Sequence, residues 1–249
     1  MKEIYLDNAA TSWPKPGSVI KAMNNYFYKI GGSSGRSGHR RAIEAGRLIM
    51  NARTAAAELL GVSDDSGLIF TSNATTALNL VISGIFFSDK QINSSHIVTT
   101  SMEHNSVLRP VNLLKEKGLD VTLVKADIYG QVSPKQIEAA IKSNTKLVVV
   151  THASNVCGTV NNIDLIGKIC SDKNVPLLVD GAQSAGTLPI NLDSFDIDFF
   201  ACAGHKGLLG PQGTGLLYVK NKDLLSPSIA GGTGSLSDSA YQPDFMPDK

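Results

Sequence analysis

Val175-Pro176-Leu177-Leu178-Val179-Asp180 is an apolar run of strand length that ends on a carboxylate. A strand that is apolar on both faces needs cover on both sides, which points to a parallel sheet between helices. An aspartate at the carboxyl end of such a strand points into the crevice where open α/β sheets bind ligands. Outward from this run, further short β-branched stretches fall at 67–71, 96–100, 121–124, 146–150, 195–202 and 214–219. Helical patterns lie between most of them, at 75–87, 106–117, 134–143 and 164–173. Upstream, Pro14, Pro16 and Gly17 precede an amphipathic helix over 18–28, and a long helix over 39–60 ends at Gly61 as a C-cap. The alternation predicts an α/β fold with a mostly parallel seven-stranded sheet and helices on both faces.

Downstream of the aspartate comes Ala203-Gly204-His205-Lys206-Gly207-Leu208-Leu209-Gly210-Pro211. A lysine bracketed by glycines lies on backbone that can approach a flat ligand closely, since no Cβ intervenes. An amine and a buried carboxylate of this kind are what pyridoxal 5′-phosphate requires, one for imine formation and one for the pyridine nitrogen. Taken singly, Lys206 reads as a surface lysine and Asp180 as a helix cap. The other strand ends change the balance. After 71 comes Ser72-Asn73-Ala74-Thr75-Thr76 at a helix start, an anion site or an ordinary Ser/Thr cap. After 100 comes Glu103-His104-Asn105, whose imidazole suits the face of an aromatic ring. After 150 comes Ser154-Asn155, suited to a phenolate oxygen or to turn chemistry, and Gln183 follows Asp180. Five strand ends thus offer polar groups to one crevice.

The chain has 249 residues, 42% hydrophobic and 18% charged, enough to bury one large core or two modest ones. A formal net charge of +1 offers no basic stripe for nucleic acid, and no apolar stretch reaches membrane length. The start Met1-Lys2-Glu3 has no apolar signal segment behind it, so export is not expected. Cys157, Cys170 and Cys202 have no C-x-x-C spacing, which fits a reducing cytoplasm rather than disulfides or zinc. No H-x-H or H-x-x-x-H pair suggests a metal. Neither G-x-G-x-x-G after the first strand nor a P-loop is present, which disfavours a simple nucleotide-binding domain.

Together the stretches Tyr5–Thr11, Phe70–Thr75, Glu103–Ser106, Ser154–Gly158, Asp180–Ser184 and Gly204–Pro211 resemble the class-V aminotransferase family, fold type I and PLP-dependent. They look most like its cysteine desulfurase/selenocysteine lyase branch. The resemblance implies Lys206 as the Schiff-base lysine, Asp180 as partner of the pyridine nitrogen and His104 as the ring-stacking imidazole. It implies Gln183 and Asn155 near the phenolate oxygen, and the Ala74 backbone, Thr75 and His205 at the phosphate. It also implies that Thr233, in Gly231-Gly232-Thr233-Gly234-Ser235, reaches the phosphate of a neighbouring subunit in a homodimer. A cysteine substrate and a sulfur-acceptor protein are the expected partners.

Two departures stand out. Ala203 takes the place where the family usually has Ser or Thr on the phosphate, a lost hydrogen bond of roughly 1.5–3 kcal/mol. Family members also continue into a smaller C-terminal domain, with an arginine for the substrate carboxylate and a cysteine that accepts sulfur; neither has a counterpart here. The expected organisation is an N-terminal arm over 1–17, a PLP-binding large domain over 18–225, and a Gly/Pro-rich tail over 226–249 leading to that absent domain. Cys170 and Cys202 read as core.

Overall fold

Strands form where branched and aromatic apolar residues cluster, and the chain between them decides their direction. In the computed structural model, residues 4–35, 37–86 and 91–231 are described. The strands are β1 (Leu68–Thr71), β2 (His96–Thr100), β3 (Asp120–Val124), β4 (Thr145–Thr151), β5 (Leu177–Asp180), β6 (Phe199–Ala203) and β7 (Gly215–Val219). They make one seven-stranded sheet in the order β1-β7-β6-β5-β4-β2-β3. β2 to β6 are linked as parallel neighbours, whereas β7 runs antiparallel to both β6 and β1. Only residues 204–214 join β6 to β7, and without a helix to carry a crossover the chain must double back. The fold class is the expected one.

The helices are α1 (Gly17–Asn25), α2 (Arg40–Leu60), α3 (Ala74–Phe86), α4 (Asn105–Glu116), α5 (Pro134–Ala140) and α6 (Ile163–Asp172). Side chains alternate across a strand, so consecutive residues feed opposite cores. Val148, Val150, Leu177, Val179, Phe200 and Cys202 pack with α2, α5 and α6 on one face. Leu147, Val149, Leu178, Phe199, Ala201 and Leu217 pack with α3 and α4 on the other. After β2 the chain moves outward to β3; after β4 it moves the other way to β5 and β6. The carboxyl ends of β2 and β4 therefore flank the point where the strand order reverses, the usual crevice of such sheets.

Several elements depart from the expected pattern. α1 buries no residue at all, and its last turn widens into a π-helix over Tyr26–Ile30. Ile20, Met23, Phe27 and Tyr28 are all exposed, so the helical period is present but nothing within the described residues covers its apolar stripe. β3 is an edge strand, with Leu123 half exposed. β6 begins at Phe199 rather than 195, because the Asp198 carboxylate turns aside to accept the Leu177 N–H at 2.9 Å. The expected Gly61 cap is present, left-handed at φ 63°. His96, buried in the sheet, uses Nδ1 on Thr145 at 2.7 Å and Nε2 on Thr122 at 2.8 Å. With both nitrogens occupied by neighbouring strands, it is a structural histidine.

Gly181 follows Asp180 directly, and a Cβ there would sit inside the buried ring of Phe200. Gly181→Ala should destabilise the fold by roughly 1–3 kcal/mol, read as a lower urea midpoint at unchanged slope. An unchanged midpoint would show that the ring yields freely.

Candidate active site

A cavity of about 330 Å³ opens at the carboxyl ends of the strands, with Asp180 and Lys206 both in its wall. β5 delivers Asp180 to it, and β6 delivers Ala203, His205 and Lys206. The segments after β1 and β2 contribute Ala74 and Thr75, and His104 and Ser106; β4 contributes its last residue, Thr151, and the segment after it Asn155. Gln183 completes the set. The five strand ends therefore do converge. Of the candidate site residues read from sequence, Thr233 lies outside the described residues. A wider cavity of about 750 Å³ adjoins the first and shares Lys206, Asn155 and Gln183 with it.

The electrostatics are set by burial. The Asp180 carboxyl is pushed up by burial, partly offset by the Ala182 N–H on Oδ1 at 2.9 Å and by the nearby His104 and Lys206. The Lys206 amine is pushed down by burial, with Asp180 pulling the other way. A buried carboxylate and a partly desolvated amine are each costly in their charged forms, and each is relieved by a suitable ligand charge. The glycines around Lys206 have a packing reason. A Cβ on Gly204 would strike Thr214, and one on Gly207 would strike the Ala185 carbonyl and Thr187. The close approach they permit is to the protein's own chain, not chiefly to a ligand.

At α3 the cap is Asn73 rather than a Ser or Thr: its Oδ1 accepts the Thr76 N–H at 2.7 Å. Ala74 and Thr75 thus sit in a first turn whose remaining N–H groups have no acceptor inside the helix. His104 caps α4, with Nδ1 accepting the Ser106 N–H at 3.1 Å, and this fixes the ring against the cavity. Asn155 is exposed on the lip, and Gln183 donates to the carbonyl of Ala9, itself a residue of the cavity wall, at 2.9 Å.

The N-terminal arm is a part of the site that residue types alone did not reveal. Four donors meet at the His205 carbonyl oxygen: Ser12 N at 3.0 Å, Thr11 Oγ1 at 3.0 Å, Ser12 Oγ at 3.1 Å and Lys15 Nζ at 2.7 Å. Thr11 Oγ1 is also 3.0 Å from His205 Nδ1. The arm thereby pins the backbone immediately before Lys206. In the sequence, Thr11 and Ser12 stand just ahead of Pro14, and Lys15 lies between Pro14 and Pro16.

Beneath the cavity lies Glu103, buried, with Oε1 accepting from Thr100 Oγ1 at 2.7 Å and Thr151 N at 2.9 Å. Its Oε2 has no protein partner. Burial pushes this carboxyl up to about 8, against the pull of those two donors and with Asp180 adding to the rise. A carboxyl with a raised folded value stabilises the fold fully below its unfolded value and loses that contribution as pH rises through the folded one. Stability should therefore fall between about pH 4.5 and pH 8 by up to about 1.4 kcal/mol per unit from this group. Glu103→Gln should flatten that slope in urea titrations at several pH values; an equally steep variant would remove Glu103 as its source.

Cys170 and Cys202 are buried, as expected, and burial pushes both thiols up to about 12. Cys157 is exposed, and hydrogen bonds involving Ser154 and Thr159 bring its thiol down to about 7. Among the described residues no His/Cys/Asp/Glu cluster suits a metal, and no helix is long and apolar enough to cross a membrane.

A family model described as Aminotransferase class-V matches residues 4–243. A probable cysteine desulfurase of Methanothermobacter thermautotrophicus is 38% identical over 250 residues, covering 99% of this chain and 61% of that protein. Putative cysteine desulfurase IscS 1 of Bacillus subtilis is 38% identical over 93% of this chain and 60% of its own length. Among solved structures, the apo cysteine desulfurase of Thermococcus onnurineus NA1 superposes with a TM-score of 0.86 at 36% identity, covering 92% of this chain and 57% of that one. SspA in complex with cysteine gives 0.85 at 34% identity, covering 92% and 65%. The chain thus spans about three fifths of the length of these relatives.

Proposed function

Because the chain belongs to the class-V aminotransferase family, we propose that its cavity holds pyridoxal 5′-phosphate and serves a cysteine desulfurase-like reaction. In it, L-cysteine and an acceptor thiol give L-alanine and a persulfide: the Cβ–S bond breaks, an S–S bond forms, and a proton ends on Cβ. The reading rests on one observation above all, that Asp180 and Lys206 open onto the same cavity as the α3 N-terminus. The cavity volume suits one small aromatic ring with its substituents, and the donors match the cofactor's poles.

Bound cofactor supplies an aldehyde and a conjugated ring able to take up an electron pair from a substrate Cα. In this reading Lys206 Nζ provides the attaching amine, and its lowered proton affinity lets it release and later return a proton. Asp180 meets the ring nitrogen, where a cation favours the ionised carboxylate that burial alone disfavours. His104 forms the wall for the ring face, and Asn155 and Gln183 stand for the phenolate side. Ala74, Thr75 and His205 take the phosphate with the α3 dipole. Ala203 is buried in the cavity wall with no side-chain donor, so that hydrogen bond is forgone.

In this proposal residues 18–225 form the large domain, with 1–17 as the arm and 226–249 as the tail. Homodimerisation, with Thr233 completing a neighbour's phosphate site, a separate sulfur-acceptor protein and a cytoplasmic setting complete it. A second reading is favoured by the shared length: the chain covers about three fifths of its desulfurase relatives, which leaves room for selenocysteine lyase, another class-V β-lyase or transaminase, or PLP binding without turnover. The discriminating experiment is to add pyridoxal phosphate to the purified 249-residue protein, record its visible spectrum, then add cysteine and assay alanine and sulfide. Yellow protein that forms alanine supports the desulfurase reading; yellow protein that forms none supports binding without that turnover. Colourless protein would end the cofactor assignment.

A further inference from the structure

Ser106, buried in the first turn of α4, places its hydroxyl between two residues of the cavity wall. Its Oγ lies 2.7 Å from His104 Nδ1 and 2.8 Å from Thr75 Oγ1. The donors can be ordered from chemistry. His104 Nδ1 accepts the Ser106 backbone N–H, so it carries a lone pair, and the neutral ring has its hydrogen on Nε2. Nδ1 then has no hydrogen to give, and the 2.7 Å contact is the Ser106 O–H donating to it. The Ser106 hydrogen is thereby used, so the 2.8 Å contact is the Thr75 O–H donating to Ser106 Oγ. The order is Thr75 to Ser106 to His104.

That order turns Thr75 toward the cavity with lone pairs only, the wrong pole for an anion. An anion at the α3 N-terminus needs the Thr75 hydrogen. If Thr75 turns alone, two oxygens face each other at 2.8 Å with no hydrogen between them. The conflict is removed when Ser106 turns its own hydrogen from Nδ1 to Thr75 Oγ1. The Asn79 amide holds the two helices together for this exchange, donating to Thr75 O at 2.9 Å and to Ser106 O at 3.4 Å.

We propose that Ser106 is a positioning residue: its hydroxyl couples an anion at Thr75 to the hydrogen bonding of the His104 ring, swinging from one to the other as the site fills. No covalent bond changes; two hydroxyl rotors turn. The proposal rests on the phosphate reading above. With the anion in place, His104 keeps only the backbone N–H on Nδ1, and its ring is freer to settle on whatever fills the cavity.

The test uses the full chain, ¹⁵N-labelled at histidine and backbone, titrated with inorganic phosphate. In the wild type the His104 Nδ1 resonance should move downfield as phosphate saturates, reporting loss of one donor. In Ser106→Ala, Nδ1 of the empty protein should already lie near the phosphate-bound position, and phosphate should move it little. Ser106→Thr should restore the response. Thr75→Val, in which Ser106 has no reason to turn, should also hold Nδ1 still. If phosphate shifts the Ala74 and Thr75 amides while Nδ1 stays put, or if Ser106→Ala responds like the wild type, the coupling is wrong and the phosphate reading stands. If phosphate moves neither the amides nor Nδ1, the phosphate reading fails and takes the coupling with it.

Discussion

Lys206→Ala, mixed with pyridoxal phosphate, should bind it only reversibly: borohydride should trap no cofactor on the protein, and any turnover should fall by at least about 10²–10⁴-fold, the usual contribution of a positioned proton-transfer group. The fold should be near native, because Lys206 lies on a turn outside the sheet, where its carbonyl accepts the Leu209 N–H at 2.9 Å. Among the described residues, Lys206 is the only lysine in the cavity wall. Mass spectrometry after borohydride reduction gives the decisive readout. A stable adduct in the variant, at any other lysine, would overturn the assignment of Lys206.

Asp180 gives the second large effect, and it carries two signs. With cofactor bound, Asp180→Ala leaves a buried cation without its partner, which costs roughly 3–5 kcal/mol, or about 10²–10⁴-fold in affinity. Without cofactor, the same carboxyl is a liability. Its folded value is raised by burial, so its contribution to stability is present below the unfolded value near 3.8 and is lost as pH rises through the folded one. At neutral pH Asp180→Asn should therefore leave the empty protein as stable as the wild type or more so, while weakening cofactor hold. Thermal melts with and without pyridoxal phosphate separate the two. If both forms lose stability equally, Asp180 is a structural residue. If neither changes, it faces no cation.

Asp180 and Glu103 make the same physical point from different depths. Each is a carboxyl that the empty protein holds at a cost, and each sits at the carboxyl end of the sheet. Strained or desolvated groups persist where the surrounding fold over-determines them, and such places are commonly functional. Asp180 faces the cavity, where a ligand charge can relieve it. Glu103 instead clamps the ends of β2 and β4 through Thr100 and Thr151, beneath the residue that caps α4.

Much of the architecture was legible in advance because it follows from short-range chemistry. Runs of Val, Leu, Ile and Phe at strand length gave seven strands, and Gly61 ended the long helix through the left-handed conformation that glycine tolerates. Where local pattern failed, something non-local had intervened. The stripe on α1 has its period but no cover, and β6 starts late because Asp198 is drawn to Leu177. The cap of α3 passed to Asn73 because its amide oxygen reaches the Thr76 N–H.

From its order of residues alone this protein determined which strands and helices exist, which face of each is apolar, and that Asp180 and Lys206 end neighbouring strand units. Those are matters of period and of residues adjacent in the chain. Tertiary structure alone decided that Thr11, Ser12 and Lys15 grip the His205 carbonyl, that Ser106 stands between Thr75 and His104, and that Glu103 lies buried with one oxygen unmatched. Hydrogen bonds between residues up to 194 positions apart depend on the path of the whole chain. A linear sequence shows which donors and acceptors exist; only the folded sheet, by placing its strand ends side by side, selects which of them meet.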